Sequence, residues 1–209
     1  MTISKTFMTV GMALCLSIST QALADSITGE LVFVKRASFA GVVFVEEKQH
    51  STVNATLDQK DKEFTHKMIV ASPGGKIVFN NSDSFEHNIY SSGSKSAKFD
   101  VGLMPTGSKN TITANWGSDS VVRIGCKIHP KMKAYIANID SSIYQVLPFK
   151  KKTKNYTIKL AGVSGDTVVV KLKIPKYPDT VVSLKAGESK TVDVIKKGKK
   201  KATLTLKRQ

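Results

Sequence analysis

Gly125-Cys126-Lys127-Ile128-His129-Pro130-Lys131-Met132 places a thiol, an imidazole and a thioether at Cys-x2-His-x2-Met spacing. The run follows Ser120 to Gly125, a β-branched strand pattern, and precedes Lys133 to Ile139, another strand pattern. It therefore reads as a tight loop between two strands. A second imidazole, His87, lies 39 residues upstream, just after the loop that follows the Lys76 to Asn80 strand.

Two imidazoles, one thiolate and a weak thioether are the ligands of a trigonal copper centre. The soft thiolate stabilises Cu(I), the imidazoles accept either oxidation state, and the thioether helps set the potential. Three ligands on one loop and the fourth on a neighbouring strand hold one geometry for both oxidation states. Taken singly, each residue has a plainer role. Cys126 and Met132 suit a core as a small hydrophobe and a gap-filler, and His87 and His129 suit a surface. It is their joint placement that points to one copper ion bound by His87, Cys126, His129 and Met132. Zinc is the weaker alternative, because structural zinc uses more cysteines and no thioether. A centre with no vacant position disfavours catalysis, so an electron carrier is expected rather than an enzyme. The alternative is a copper-binding or copper-tolerance protein that sequesters or delivers the ion.

Outward from the loop, strand signals dominate. Ile27 to Val34, Gly41 to Glu46, Thr52 to Leu57, Lys67 to Ala71 and Thr111 to Ala114 are apolar and β-branched between polar breaks. Ser72-Pro73-Gly74-Gly75 and Asn80-Asn81-Ser82-Asp83 read as turns, and Asp58 to His66 as a helical turn or a loop. Short strands with frequent turns predict an all-β sandwich with Greek-key connections.

These residues resemble the cupredoxin superfamily of type 1 (blue) copper proteins. The short ligand loop is that of amicyanin. The nearer likeness is to bacterial plastocyanin-like proteins labelled methylamine utilization proteins. The matching pieces are Ser72 to Asp83, His87-Asn88-Ile89-Tyr90-Ser91, Phe99-Asp100-Val101-Gly102, and Cys126 to Met132 with Ala134, within roughly Ile27 to Ile139. The resemblance implies a Greek-key cupredoxin sandwich with His87, Cys126, His129 and Met132 as copper ligands. It also implies that Asn88 ties the His87 strand to the cysteine loop. Pro130 is expected to stiffen the loop. Trp116 and Met104 are read as packing residues, and His50 and His66 as exposed.

The two ends of the chain differ. Lys5, the uncharged apolar run Phe7 to Ser19 and Ala22-Leu23-Ala24 predict a signal peptide over residues 1–24, cleaved after Ala24, and a periplasmic location. The apolar run is too short to span a bilayer, and Leu14 before Cys15 is too bulky for a lipoprotein signal. Cleavage leaves Cys126 as the sole cysteine, with no disulfide partner. Of the chain's net charge of +16, residues 25–147 carry 14 Lys and Arg against 12 Asp and Glu, and residues 148–209 carry 17 against 4. That shift predicts a copper domain over 25–147 and a small basic antiparallel β-domain over 148–209. In the latter, Val168, Val170, Leu172 and Ile174 alternate with Thr167, Val169, Lys171 and Lys173, as half-buried strands do. The lysines suggest docking to an acidic redox partner, an anionic membrane surface or a polysaccharide. Nucleic acid is not expected without aromatic stacking patterns.

Overall fold

The computed structural model describes residues 25–35, 39–48, 51–92 and 97–209. The expected signal peptide and His50 lie outside these residues. The described residues form strands and no helix. In chain order the strands are β1 (Asp25–Phe33), β2 (Ala40–Val45), β3 (Ala55–Lys60), β4 (Glu63–Phe64), β5 (Met68–Ala71), β6 (Lys76–Asn81), β7 (His87–Ser92), β8 (Asp100–Met104) and β9 (Lys109–Thr113). They continue with β10 (Ser120–Gly125), β11 (Lys133–Asn138), β12 (Tyr144–Pro148), β13 (Asn155–Val163), β14 (Thr167–Lys173), β15 (Thr180–Lys185), β16 (Ser189–Lys196) and β17 (Lys199–Arg208).

The strands build two sandwiches. The first has sheets ordered β5-β11-β10-β7-β8 and β4-β3-β6-β9. They close on a core that includes Leu57, Ile77, Phe79, Ile89, Ile124 and Ile136. The second has sheets ordered β13-β1-β17-β16 and β12-β2-β14-β15. Its core includes Ile27, Leu31, Val170, Leu172, Leu204 and Leu206.

The expected boundary at Pro148 is corrected by this pairing. β1 lies between β13 and β17, and β2 lies between β12 and β14. Residues 25–45 therefore belong to the lysine-rich sandwich, and the first sandwich is inserted between its strands. The reason is physical. Charge composition records which side chains face water, whereas sheet membership is set by long-range pairing that local composition does not encode. Five strands after Pro148 offer too few apolar faces for a sandwich core, and β1, β2 and β12 complete it.

Strand parity explains how the sandwiches join. All six residues of β2 are buried. Val43 and Val45 face the second core. Ala40, Val42 and Phe44 face a separate apolar layer with Met68, Val70, Ala137 and Ile139 of the first sandwich. β5 divides likewise, with Ile69 and Ala71 in its own core and Met68 and Val70 in the shared layer. Alternate residues of a strand point to opposite faces, so an uninterrupted apolar run means burial on both. Beside this layer Lys171 bonds Glu46 and Asp119 at 2.8 Å each, and buried Lys173 bonds Asp179 and Asp119.

Asp58 to His66 is neither a helical turn nor a simple loop. β3 runs through to Lys60, and Asp61 and Lys62, at φ 53° and 57°, turn it tightly into β4. Such a turn normally announces itself with Asn or Gly, which this one lacks.

Candidate metal centre

β7 begins at His87, and β10 pairs with it antiparallel through Gly125 and Tyr90. The first residue after β10, Cys126, is therefore brought beside His87. The loop then turns back, with the Met132 N–H donating to the His129 carbonyl at 2.9 Å. His87, Cys126 and Met132 are 0, 2 and 3% exposed, whereas His129 is half-buried.

Donor atoms of His87, Cys126 and His129 all lie within 4.8 Å of one another. Cys126 Sγ is 3.8 Å from His87 Nδ1 and 3.9 Å from His129 Nδ1, and the two Nδ1 atoms are 3.0 Å apart. A point equidistant from the corners of that triangle lies about 2.1 Å from each, close to the ~2.0–2.1 Å and ~2.3 Å bonds that metals of this size make to imidazole and thiolate. The donor set thus fits a single metal ion. Met132 closes the same loop, and its side chain is buried in the core that contains Cys126.

The surrounding bonds orient the ligands. His87 Nε2 meets Asp83 Oδ2 at 2.9 Å, with both side chains buried. Asp83 Oδ2 also accepts the Lys62 N–H at 2.7 Å, and its Oδ1 accepts the Ser84 N–H at 2.8 Å. The Lys62 N–H and then His87 hold the Asp83 carboxyl below its ordinary pKa despite burial. Asp83 is thus placed to accept from His87 Nε2–H, which leaves His87 Nδ1, 3.8 Å from Cys126 Sγ, as the nitrogen available to a metal. Burial, then His87 and Lys62, lower the pKa of His129 below its ordinary value. Asp83 was not singled out as a site residue from the sequence. Its only signal there is a carboxylate four positions before a histidine.

Asn88 links β7 to the ligand loop. Its Oδ1 accepts the Lys127 N–H at 3.2 Å, while its Nδ2 donates to Asp100 Oδ1 at 2.5 Å and to the Gly102 carbonyl at 3.3 Å. Lys127 in turn bonds Asp100 at 2.5 Å. Pro130 is exposed beside His129, and His66 is exposed. Trp116 is buried and stacks on Phe99, which stacks on Phe79. Met104 is buried opposite His87 in register, with Gln59 Nε2 donating to its Sδ at 3.5 Å. Phe85 and Ile128 are 46 and 48% exposed near the half-buried imidazole, and the Phe85 ring lies edge-on to His129 at 6.5 Å.

No family model matches the chain, and no curated protein matches it. Its structural neighbours are cupredoxins. A purple cupredoxin from Nitrosopumilus maritimus is 17% identical over 41% of this chain and 99% of its own, with a TM-score of 0.36. A reduced Cu(I) amicyanin mutant is 11% identical over 46% of this chain and 97% of its own, at 0.37. A copper-containing nitrite reductase (NirK) from Thermus scotoductus SA-01 is 20% identical over 45% of this chain and 24% of its own, at 0.38. At such TM-scores the likeness carries no weight of its own, and the chemistry of the site stands on its donor atoms.

Proposed function

We propose that this chain is an exported type 1 copper protein that carries single electrons, with one copper ion held by His87, Cys126, His129 and Met132. The observation that supports this reading most strongly is the triangle of two imidazole nitrogens and one thiol sulfur, with His87 and Cys126 buried and His129 half-buried. Copper bound there supplies a one-electron Cu(I)/Cu(II) couple.

The protein's own residues do the rest. Asp83 fixes the ring of His87, and Asn88 fixes the loop of Cys126, so little has to move when charge changes. Burial of Cys126 keeps solvent from the thiolate. Met132, on the same loop, is assigned as the weak fourth ligand; four protein ligands would leave no vacant position for a substrate, as suits a carrier rather than an enzyme. The exposed edge of His129, among Phe85 and Ile128, is the contact proposed for a redox partner. Export to the periplasm, with cleavage after Ala24, belongs to the same proposal.

Copper titration with visible and paramagnetic resonance spectra tests it. Intense absorption near ~600 nm, the thiolate-to-Cu(II) band, is expected from the native protein and not from Cys126→Ser. A colourless Cu(II) complex of the native protein would overturn the assignment. Normal respiration but copper sensitivity in a deletion strain would favour copper handling instead.

A further inference from the structure

One end of the second sandwich gathers lysines that are far apart in the chain. β1 ends and β13 begins there, as β16 ends and β17 begins, because each pair runs antiparallel. The Phe33 N–H donates to the Lys154 carbonyl at 3.0 Å, and the Val34 N–H to the Lys201 carbonyl at 2.9 Å. The exposed Lys150 to Lys154 segment and the Lys196 to Lys199 turn therefore flank Lys35. A cleft of about 670 Å³ at this end is lined by Lys35, Lys196, Lys197 and Lys199 to Lys201, with Val34 and Tyr177 and no carboxylate. Asp193 pairs with Lys200 at 2.6 Å, and Lys196 lies over the Tyr177 ring at 4.2 Å. At the opposite end of the sheet, by contrast, Arg208 is matched by Asp25.

So many like charges at one end repel one another unless an anionic surface neutralises them. Two further features narrow the choice of surface. Val34 and Ile195 are 51 and 38% exposed among the lysines, although both are aliphatic. Ammonium groups mixed with exposed aliphatic side chains at strand ends suit a lipid headgroup layer, where the cations meet phosphates and the alkyl groups enter the boundary below. A soluble polyanion would use the charges and leave the two aliphatic residues idle.

The ligand loop lies at the same pole. Lys133, next to Met132, sits over the Phe39 ring at 5.6 Å, and Lys67 over the same ring at 5.4 Å. The Phe39 carbonyl accepts the Phe149 N–H at 3.2 Å, directly before Lys150. We propose that the lysine-rich end docks the protein on an anionic lipid bilayer, with the His87–Cys126–His129 pole turned toward the membrane.

The test is vesicle co-sedimentation of the exported chain, Asp25 to Gln209, with phosphatidylglycerol-containing vesicles compared with pure phosphatidylcholine, across a salt series. The variants are a fivefold Lys→Gln at positions 196, 197, 199, 200 and 201, a threefold Lys→Gln at 150, 151 and 152, and Val34→Asn with Ile195→Asn. All begin at Asp25, after the proposed cleavage, so the apolar N-terminal run is absent and retention reports the folded strands and their lysines. Binding is expected only to the anionic vesicles and to weaken with salt. The fivefold variant should bind on the order of 1000-fold more weakly, since each lysine near an anionic surface contributes roughly fivefold. The threefold variant repeats the test should the fivefold one fail to fold. The Asn pair should weaken vesicle binding about tenfold while leaving binding to dextran sulfate unchanged. Equal retention on both vesicle types, or lysine variants that bind like the native chain, would overturn the proposal. Asn substitutions without effect on vesicle binding would overturn the lipid assignment in favour of a general polyanion site.

Discussion

The two sandwiches divide the work of the molecule differently. The first carries 11 Lys and Arg against 8 Asp and Glu over residues 49–140, and it places a buried polar constellation at one end of its core. The second carries 20 against 8 over residues 25–48 and 141–209, and it buries apolar side chains together with Lys173 and Arg208, each paired to a carboxylate. Chemistry thus sits on loops of the inserted, nearly neutral unit, while the host unit, split in sequence, concentrates the charge. A metal site needs donors placed to tenths of an ångström, which short loops between paired strands provide. A docking surface needs only density of charge, which strand ends and turns supply without disturbing a core. The contrast predicts that stability, metal affinity and docking can be altered separately.

The largest effect should come from breaking the layer that joins the two units. Phe44 is 2% exposed, on the face of β2 that packs against Met68, Val70, Ala137 and Ile139. Phe44→Ala should cost about 3–5 kcal/mol, the transfer and cavity cost of a large buried side chain. Because the loss falls between the cores, calorimetry should show one unfolding transition for the native protein and two for the variant. A small, uniform shift of one transition would mean that the layer contributes little and that each sandwich stands alone.

A smaller effect, confined to the first sandwich, is expected at Asp83. Asp83→Ala removes the acceptor that holds the His87 ring through Nε2. Loss of such an orienting carboxylate lowers metal affinity about 10–100-fold, to be read by competition of copper against a chelator. Unchanged affinity would show that packing alone orients the ring. The same variant should leave vesicle binding intact, which keeps the two units' roles distinct.

Legibility in the sequence follows the same division. Cys126, His129 and Met132 were readable because one tight loop fixes their spacing. His87 was readable through the loop and strand that precede it. Asp83 was not, because its role depends on a buried contact with an imidazole, and acidic loop residues are common. β2 shows both sides of the limit. The Gly41 to Glu46 run marked a strand, found at Ala40–Val45, but nothing local said that its partners were β12 and β14. Pairing across about 100 residues depends on complementary faces, and many strands of alternating pattern offer equivalent ones. The lysine runs at 150–152 and 196–201 were plain as composition, while their meeting beside Lys35 emerged only from strand register.

The smallest effect lies where the chain crosses between the units. Glu47, just after β2, accepts hydrogen bonds from the Ser142 and Ile143 N–H groups and the Ser141 and Ser142 hydroxyls, at the connection from β11 to β12. Burial raises its pKa, but these four donors outweigh it and hold the carboxyl below its ordinary value of 4.5. The proton therefore binds the unfolded chain more readily than the folded one. The stabilisation is complete above the unfolded-state value and disappears as pH falls through the lower folded-state value. At neutral pH, Glu47→Gln should cost about 1 kcal/mol, as expected for a partly exposed, charge-assisted set of bonds. The gap in melting temperature between native and variant protein should close on acidification below the ordinary glutamate range. A gap that stayed constant into acid would show that the Glu47 charge contributes nothing, and that the crossing is held by the apolar layer alone.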